Sequence, residues 1–336
     1  MSRAAVIDEP GKLRITATEP RSPGPGEAMV QVARSGICGA DREVFTGGRP
    51  PHLVRDPVTP GHEWSGTVVG VASDVDTSLV GRAVVGEGFR NCGTCPACRR
   101  GDNNLCAGEY DETGFTRPGA WSEHLVLPAR LLHPLPDGSD LRAAAALEPA
   151  ACVCSACLQL APLTGERLAV VGGGSLGLLA TQLLAATSPG DLVLVDPHRD
   201  RGDLATACGA RTLLTPDEAE QRHGEFDAVL EAAGASGTAS LATRLTRPGG
   251  RAVLTGVPAD DGHPLDPAQL VCSQITLHTV FGAPSRAWSH AVRAFTTGAL
   301  DPALIISREL DLDDAERALD MLADPDEAAV KILLRP

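Results

Sequence analysis

The chain has 336 residues, 43 % of them apolar and 21 % charged, with a formal net charge of −14. That length exceeds a single ordinary core and predicts two domains, and the apolar share excludes a disordered chain. The acidic balance, with no basic patch in view, excludes a nucleic-acid backbone or an anionic membrane surface as partner and leaves a small-molecule ligand.

From Ala4 to about Leu147 short alternating runs such as MVQVARSGI and GTVVGVASDV stand between Pro- and Gly-rich turns, the pattern of an all-β region. The opening MSRAAVIDEPGKLRI has no basic segment followed by an apolar one, so the expectation is a cytoplasmic protein. Within the β-rich region Cys38 lies in SGICGAD and His62-Glu63 in PGHEWSG, and neither segment decides anything alone. The run CGTCPACRRGDNNLC is different. Cys92, Cys95 and Cys98 are spaced Cys-x2-Cys-x2-Cys and Cys106 follows after seven intervening residues, so one loop can wrap four thiolates around a structural Zn2+. Disulfides are disfavoured by the intracellular character, and an iron–sulfur site by Ala107, which stands where a proline commonly follows the last cysteine.

From about Cys152 the rhythm changes to strands alternating with helices: ERLAVVGG, LGLLATQLLAAT, DLVLVD, FDAVLEAAG and RAVLTGV, which predicts a parallel, doubly wound sheet. Cys152, Cys154 and Cys157 open this part at a spacing that does not put all three on one helical face, so packing rather than a third metal is expected. The uncharged stretch Leu168–Gly190 approaches the length of a membrane span, but GGGSLG near its start and Ser188-Pro189-Gly190 at its end make it strand, turn and helix.

Gly172-Gly173-Gly174-Ser175-Leu176-Gly177 fits G-x-G-x-x-G directly after an apolar strand and at the start of a helix, the context a dinucleotide needs. Gly172 permits the tight turn, Gly174 lets a pyrophosphate approach, and Gly177 allows helix to pack on strand; the helix start at Ser175 and Leu176 offers N–H donors. Asp196 ends the next strand 24 residues after Gly172, placed to accept hydrogen bonds from ribose hydroxyls. It would repel a 2′-phosphate, so NAD(H) is expected over NADP(H), although His198, Arg199 and Arg201 lie close enough to reach a phosphate. The strand ITLHTVFG at 275–282 is followed by helices near 286–297 and 313–323 and by the strand AVKILL, a tail expected to return to the first domain.

Taken together, SGICGAD, PGHEWSG, the four-cysteine loop, the LEP segment at Glu148, the glycine turn, PGGRAVLTG and the closing KILL closely resemble the zinc-containing medium-chain alcohol and polyol dehydrogenases over nearly the whole chain. The resemblance implies a GroES-like catalytic domain over 1–149, a Rossmann domain over 150–282 and a return to the catalytic domain over 283–336. It implies a catalytic zinc besides the structural one, held by Cys38, His62 and either Glu63 or Glu148; threonine- and sorbitol-dehydrogenase-like members carry Glu at the last position. Asp41 resembles the acid that orients the ligating histidine, and Cys152 would sit near the nicotinamide. The implied activity is hydride transfer between NAD(H) and a secondary alcohol or ketone, with a polyol, cyclitol or amino alcohol as substrate, in a homodimer or homotetramer joined through ITLHTVFG.

The sequence departs from the family at Cys38-Gly39-Ala40-Asp41-Arg42-Glu43, where most members read C-G-[Ser/Thr]-D-x-H and relay a proton through the hydroxyl. Candidate substitutes are water at the metal, Glu63 or Glu148 when not ligating, and Glu43 through water. The same gap motivates two other readings: a reductase of a C=N or conjugated C=C bond, and a non-enzymatic NAD-binding protein. Near Cys38, Phe45 is a pocket candidate, and Arg49, His52 and Arg55 form a basic loop that could meet a polar substrate; Trp64, Phe89, Arg90, Tyr110 and Trp121 are further pocket candidates.

Overall fold

The computed structural model describes residues 1–258, 264–324 and 329–336, which cluster into two compact units. The first unit begins with a hairpin of β1 (Ser2–Glu9) and β2 (Lys12–Thr18). It continues with β3 (Glu27–Gly36), β4 (Trp64–Val71), β5 (Ala83–Gly86), β6 (His124–Pro128) and β7 (Leu132–Pro134). Alternation decides which face is covered: in β3, Ala28, Val30 and Val32 are buried while Gln31 between them is exposed. Those side chains meet Trp64 and Val68 of β4, Val84 of β5 and Leu125 and Leu127 of β6 in one apolar core.

The second unit carries β8 (Arg167–Val171), β9 (Asp191–Val195), β10 (Thr212–Leu214), β11 (Phe226–Glu231), β12 (Thr246–Leu254) and β13 (Thr276–Thr279), all parallel, in the order β10-β9-β8-β11-β12-β13. Counted within the unit this is 3-2-1-4-5-6, the doubly wound order whose reversal, between β8 and β11, is where such sheets bind dinucleotides. Burial matches the topology. Val193 and Val195 of β9 and Ala169 and Val171 of β8 are all sealed, as expected for strands covered on both faces.

The remaining strands, β14 (Ile306–Asp311) and β15 (Lys331–Arg335), complete the first unit's sheet in the order β14-β15-β3-β4-β5-β7, with β6 paired to β3. Residues 284–292 and 306–336 cluster with the first unit, whereas 293–305 cluster with the second. The latter assignment has a local cause: the buried Gln182 side chain accepts from Asp301 N at 2.7 Å and donates to Asp301 O at 3.2 Å. No described helix is long and apolar enough to cross a membrane.

Candidate active site and metal centres

The antiparallel pairing of β3 with β4 builds the first part of the site. Ser35 lies opposite Trp64, so the residues just past the end of β3 and just before the start of β4 are delivered to the same end of the sheet. Those residues are Cys38 and the pair His62-Glu63. Their ligand atoms lie within 4.8 Å of one another, in a donor set of thiolate, imidazole and carboxylate that suits Zn2+. The close approach needs a glycine, since a Cβ on Gly36 would stand 2.1 Å from Glu63 Oε2. Glu148, the other candidate for the third ligand, is outside this group of three.

The third neighbour of β3 supplies a residue that motif reading did not single out. β15 pairs with β3 at Leu333–Gly36, and Ile37 N donates to Ile332 O, which carries Lys331 into the same corner. Lys331 Nζ reaches Glu63 Oε2 at 2.7 Å, Glu63 Oε1 at 2.9 Å and Ile37 O at 3.1 Å, with Lys331 4 % and Glu63 1 % exposed. Burial alone would lower the ammonium, but the adjacent Glu63 and then Cys38 outweigh it and hold Lys331 above its ordinary value. A signal was present in the sequence: Lys331 is one of two lysines and interrupts the apolar run AVKILL.

Asp41 stands at the third position of the helix Gly39–Thr46 and is fully buried. Its carboxylate accepts from Cys38 N at 2.9 Å and Gly61 N at 3.3 Å, bridging the two ligand-bearing segments. His62 Nδ1 is 3.4 Å from Asp41 Oδ1 and has no hydrogen-bond partner among the described residues, so Asp41 acts on the ring here as a charge. Burial opposes charge on His62, yet Asp41 and Cys38 prevail and hold its imidazole well above the ordinary value; the same anionic surroundings suit a divalent cation. Ala40, in the place of the usual hydroxyl, packs on the apolar cluster of Ile7, Val44, Val58 and Phe115.

Cys92, Cys95, Cys98 and Cys106 converge with ligand atoms within 4.8 Å of one another, and none is in a disulfide. Backbone amides point at the sulfurs: Cys95 N and Thr94 N donate to Cys92 Sγ, Ala107 N to Cys95 Sγ, and Cys92 N and Gly108 N to Cys106 Sγ. Such donors favour thiolates, and those from Thr94 chiefly draw Cys92 down to about 5. The cradle suits a closed tetrathiolate zinc site. Cys152, Cys154 and Cys157 form no comparable group among the described residues, and burial pushes Cys157 up to about 12. They lie in the helix Leu147–Leu160, with Cys154 sealed and Cys152 part-buried.

In the second unit Gly172 adopts a φ of +105°, and a Cβ there would come within 2.8 Å of the Ala233 backbone. Gly174 caps the helix Ser175–Ala185 without a side-chain cap, and nothing lies within 4 Å of where its Cβ would be, leaving a bare helix start of the kind that holds a pyrophosphate. A Cβ on Gly177 would stand 1.7 Å from Gly172 O. Gly177→Ala is therefore expected to cost about 3 kcal/mol and to abolish dinucleotide binding, measured by urea unfolding and by cofactor titration; an unchanged midpoint would refute this packing role. Asp196 Oδ2 accepts from Gly173 N at 2.6 Å and lies 3.4 Å from Arg201 Nη1, which also donates to Gly173 O at 3.1 Å. Asp196 Oδ1 accepts from His198 N and pairs with His198 Nδ1 at 2.8 Å, so this carboxylate anchors the turn.

The basic loop is not arranged as a unit facing substrate. Arg49 turns inward, while His52 and Arg55 are exposed. Arg55, Arg90 and Tyr110 instead line a cleft of about 320 Å3 beside Cys92 and Cys106. Trp64 and Trp121 are core residues, Phe45 packs against the apolar clusters, and Phe89 meets Tyr110 edge-on at 6.1 Å.

An alcohol dehydrogenase GroES-like domain matches residues 24–137, and a zinc-binding dehydrogenase domain matches 175–297. L-threonine 3-dehydrogenase of Streptomyces coelicolor is 31 % identical over 322 residues, covering 92 % of each chain. The chain belongs to the zinc-binding alcohol dehydrogenase family. Among solved structures, the cobalt- and zinc-bound thermostable alcohol dehydrogenase of Pyrobaculum aerophilum overlays this zinc-binding dehydrogenase with a TM-score of 0.91 at 27 % identity, covering 100 % of this chain and 99 % of that one. The 2R,3R-butanediol dehydrogenase of Bacillus subtilis overlays it with a TM-score of 0.89 at 27 % identity, covering 100 % of both. The expected α/β architecture, a GroES-like domain plus a doubly wound sheet, is the one observed. As a zinc-binding dehydrogenase it is an oxidoreductase of the CH–OH group, and neither a C=N or C=C reductase nor a non-enzymatic protein is favoured.

Proposed function

We propose that this dehydrogenase oxidises, with NAD+, a secondary alcohol flanked by a second polar group, as in a polyol, cyclitol or amino alcohol. The observation that carries the reading is the convergence of Cys38, His62 and Glu63 at one end of the sheet. Zinc bound there would make a substrate hydroxyl acidic and a carbonyl electrophilic. A carboxylate in the donor set makes the site harder than one with two thiolates, which favours substrates that present two oxygens, or an oxygen and a nitrogen. Glu148 remains the alternative third ligand, and the field of its carboxylate reaches Lys331.

The chain's own groups divide the remaining work. Asp41 holds the Cys38 and Gly61 amides together, and Lys331 fixes both oxygens of Glu63. Gly172, Gly174, Ser175, Leu176 and Gly177 present the bare turn to the pyrophosphate, with Asp196 and Arg201 at the ribose and Cys152 assigned to the nicotinamide end. No hydroxyl at position 40 receives the substrate proton, so a water or carboxylate route is required. The strand β13, at the edge of its sheet, is suited to pairing two copies in a homodimer or homotetramer, and a cytoplasmic setting fits free thiols.

The test is a cofactor-reduction screen on zinc-replete protein with simple secondary alcohols, vicinal diols, cyclitols and amino alcohols. The expected result is turnover highest with the chelating substrates and at least about tenfold better kcat/KM with NAD+ than with NADP+. A preference for NADP+ would overturn the Asp196 assignment, and turnover of imines or enones with NADH, run as a parallel cofactor-oxidation panel, with none of any alcohol would overturn the alcohol reading.

A further inference from the structure

The Arg49 side chain, expected to face substrate, is only 9 % exposed, and its guanidinium carbon lies 3.8 Å from the centroid of the Phe115 ring. Phe115 is 2 % exposed, and its ring centroid is 4.8 Å from that of His62, tilted by 36°. The three flat groups form a stack that ends on an imidazole whose Nδ1 has no hydrogen-bond partner among the described residues. A histidine ring held by a short hydrogen bond has its plane set by the partner. Here Asp41 stands at 3.4 Å, so ring-face packing carries more of that task.

Arg49 is itself clamped from several directions. Its Nη2 donates to Tyr110 Oη at 2.7 Å and its Nε to Leu53 O at 3.3 Å, with Glu43 at 3.7 Å and Glu112 at 3.9 Å. Tyr110 in turn donates to Glu112. These ties join the end of the helix Gly39–Thr46, the loop through Leu53 and the segment 110–115, and they fix the guanidinium plane against the ring. A planar cation is needed for this geometry, because it alone combines flat stacking with forked donors.

We propose that Arg49, acting through Phe115, is a positioning residue that sets the plane of the His62 imidazole for metal binding. The inference rests on the reading that Cys38 and His62 hold the catalytic metal. The stack resists rotation of His62 about its Cβ–Cγ bond, and so steadies the direction of the ring nitrogen lone pair.

The test uses the full-length protein reconstituted with Co2+ in both metal sites, with Arg49→Gln, Arg49→Lys, Phe115→Leu and the Arg49→Gln/Phe115→Leu double variant. The readouts are the cobalt electronic absorption bands, the rate at which a chelator removes the faster-exchanging metal, kcat, and KM for NAD+. Arg49→Gln and Phe115→Leu are each expected to speed metal loss about tenfold and to shift the cobalt bands. The double variant should be no faster than Phe115→Leu alone, because both act along one path. Arg49→Lys, which keeps charge without the flat stack, should recover only part of the difference, and kcat should fall while KM for NAD+ holds. If Arg49→Gln does not fold, Arg49→Lys and Phe115→Leu carry the test. Unchanged cobalt bands and release rates beside a lowered melting temperature would overturn the proposal, as would independent addition of the two effects. Wild-type protein that takes up a single cobalt would sink the metal reading itself, a failure separable from that of the stack.

Discussion

Replacing Lys331 by methionine is expected to destabilise the metal-free protein by about 3–5 kcal/mol, because it leaves the Glu63 carboxylate buried without a compensating cation. Urea unfolding measures the loss, and the double substitution Glu63→Gln/Lys331→Met should recover most of it. The pH dependence has a definite sign. Lys331 is held above its ordinary 10.5, so the pair's contribution is fully present below about that pH and disappears as pH rises through the folded-state value. Wild type and Lys331→Met should therefore converge in alkaline solution. A wild-type denaturation midpoint for Lys331→Met near neutrality would show that Glu63 does not depend on this partner.

Cys38→Ser is expected to remove one of two zinc ions per chain and to lower kcat by on the order of 10^3-fold or more, while leaving the unfolding midpoint nearly in place. A serine hydroxyl is neutral at pH 7 and cannot replace a thiolate, and losing the Lewis acid forfeits several kcal/mol of charge stabilisation. Cys92→Ser makes the contrast, since it should also release one zinc but act chiefly on stability. Metal analysis and steady-state kinetics on the two variants separate the sites. Retention of both zinc ions by Cys38→Ser would refute the second centre.

The parts of the molecule that were legible in the sequence are those encoded in short contiguous runs. The four cysteines between 92 and 106 and the glycine turn at 172–177 each carry their geometry in local spacing: the four ligand atoms lie within 4.8 Å of one another, and Gly172 takes a φ of +105°. Cys38 and His62 required a family resemblance, because what joins them is the register of β3 against β4, and register depends on pairing across the sheet. Lys331 and the Arg49–Phe115 stack were not legible. Lys331 reaches Glu63 from 268 residues away through the pairing of β15, and no periodicity reports such a partner. In the sequence Arg49 belongs to a basic loop that could meet a substrate; only the segment bearing Tyr110, Glu112 and Phe115 turns it inward.

The same contrast orders the acquisition of metal during folding. The four-cysteine loop closes within a few residues, so even a chain without its sheet can gather those thiolates at small entropic cost. The Cys38–His62–Glu63 corner exists only once β3, β4 and β15 are paired, a set of contacts that spans most of the chain and forms late. When zinc is scarce the loop is therefore expected to fill before the corner, and a folded population carrying a single ion is the expected outcome of zinc starvation, measurable by metal analysis.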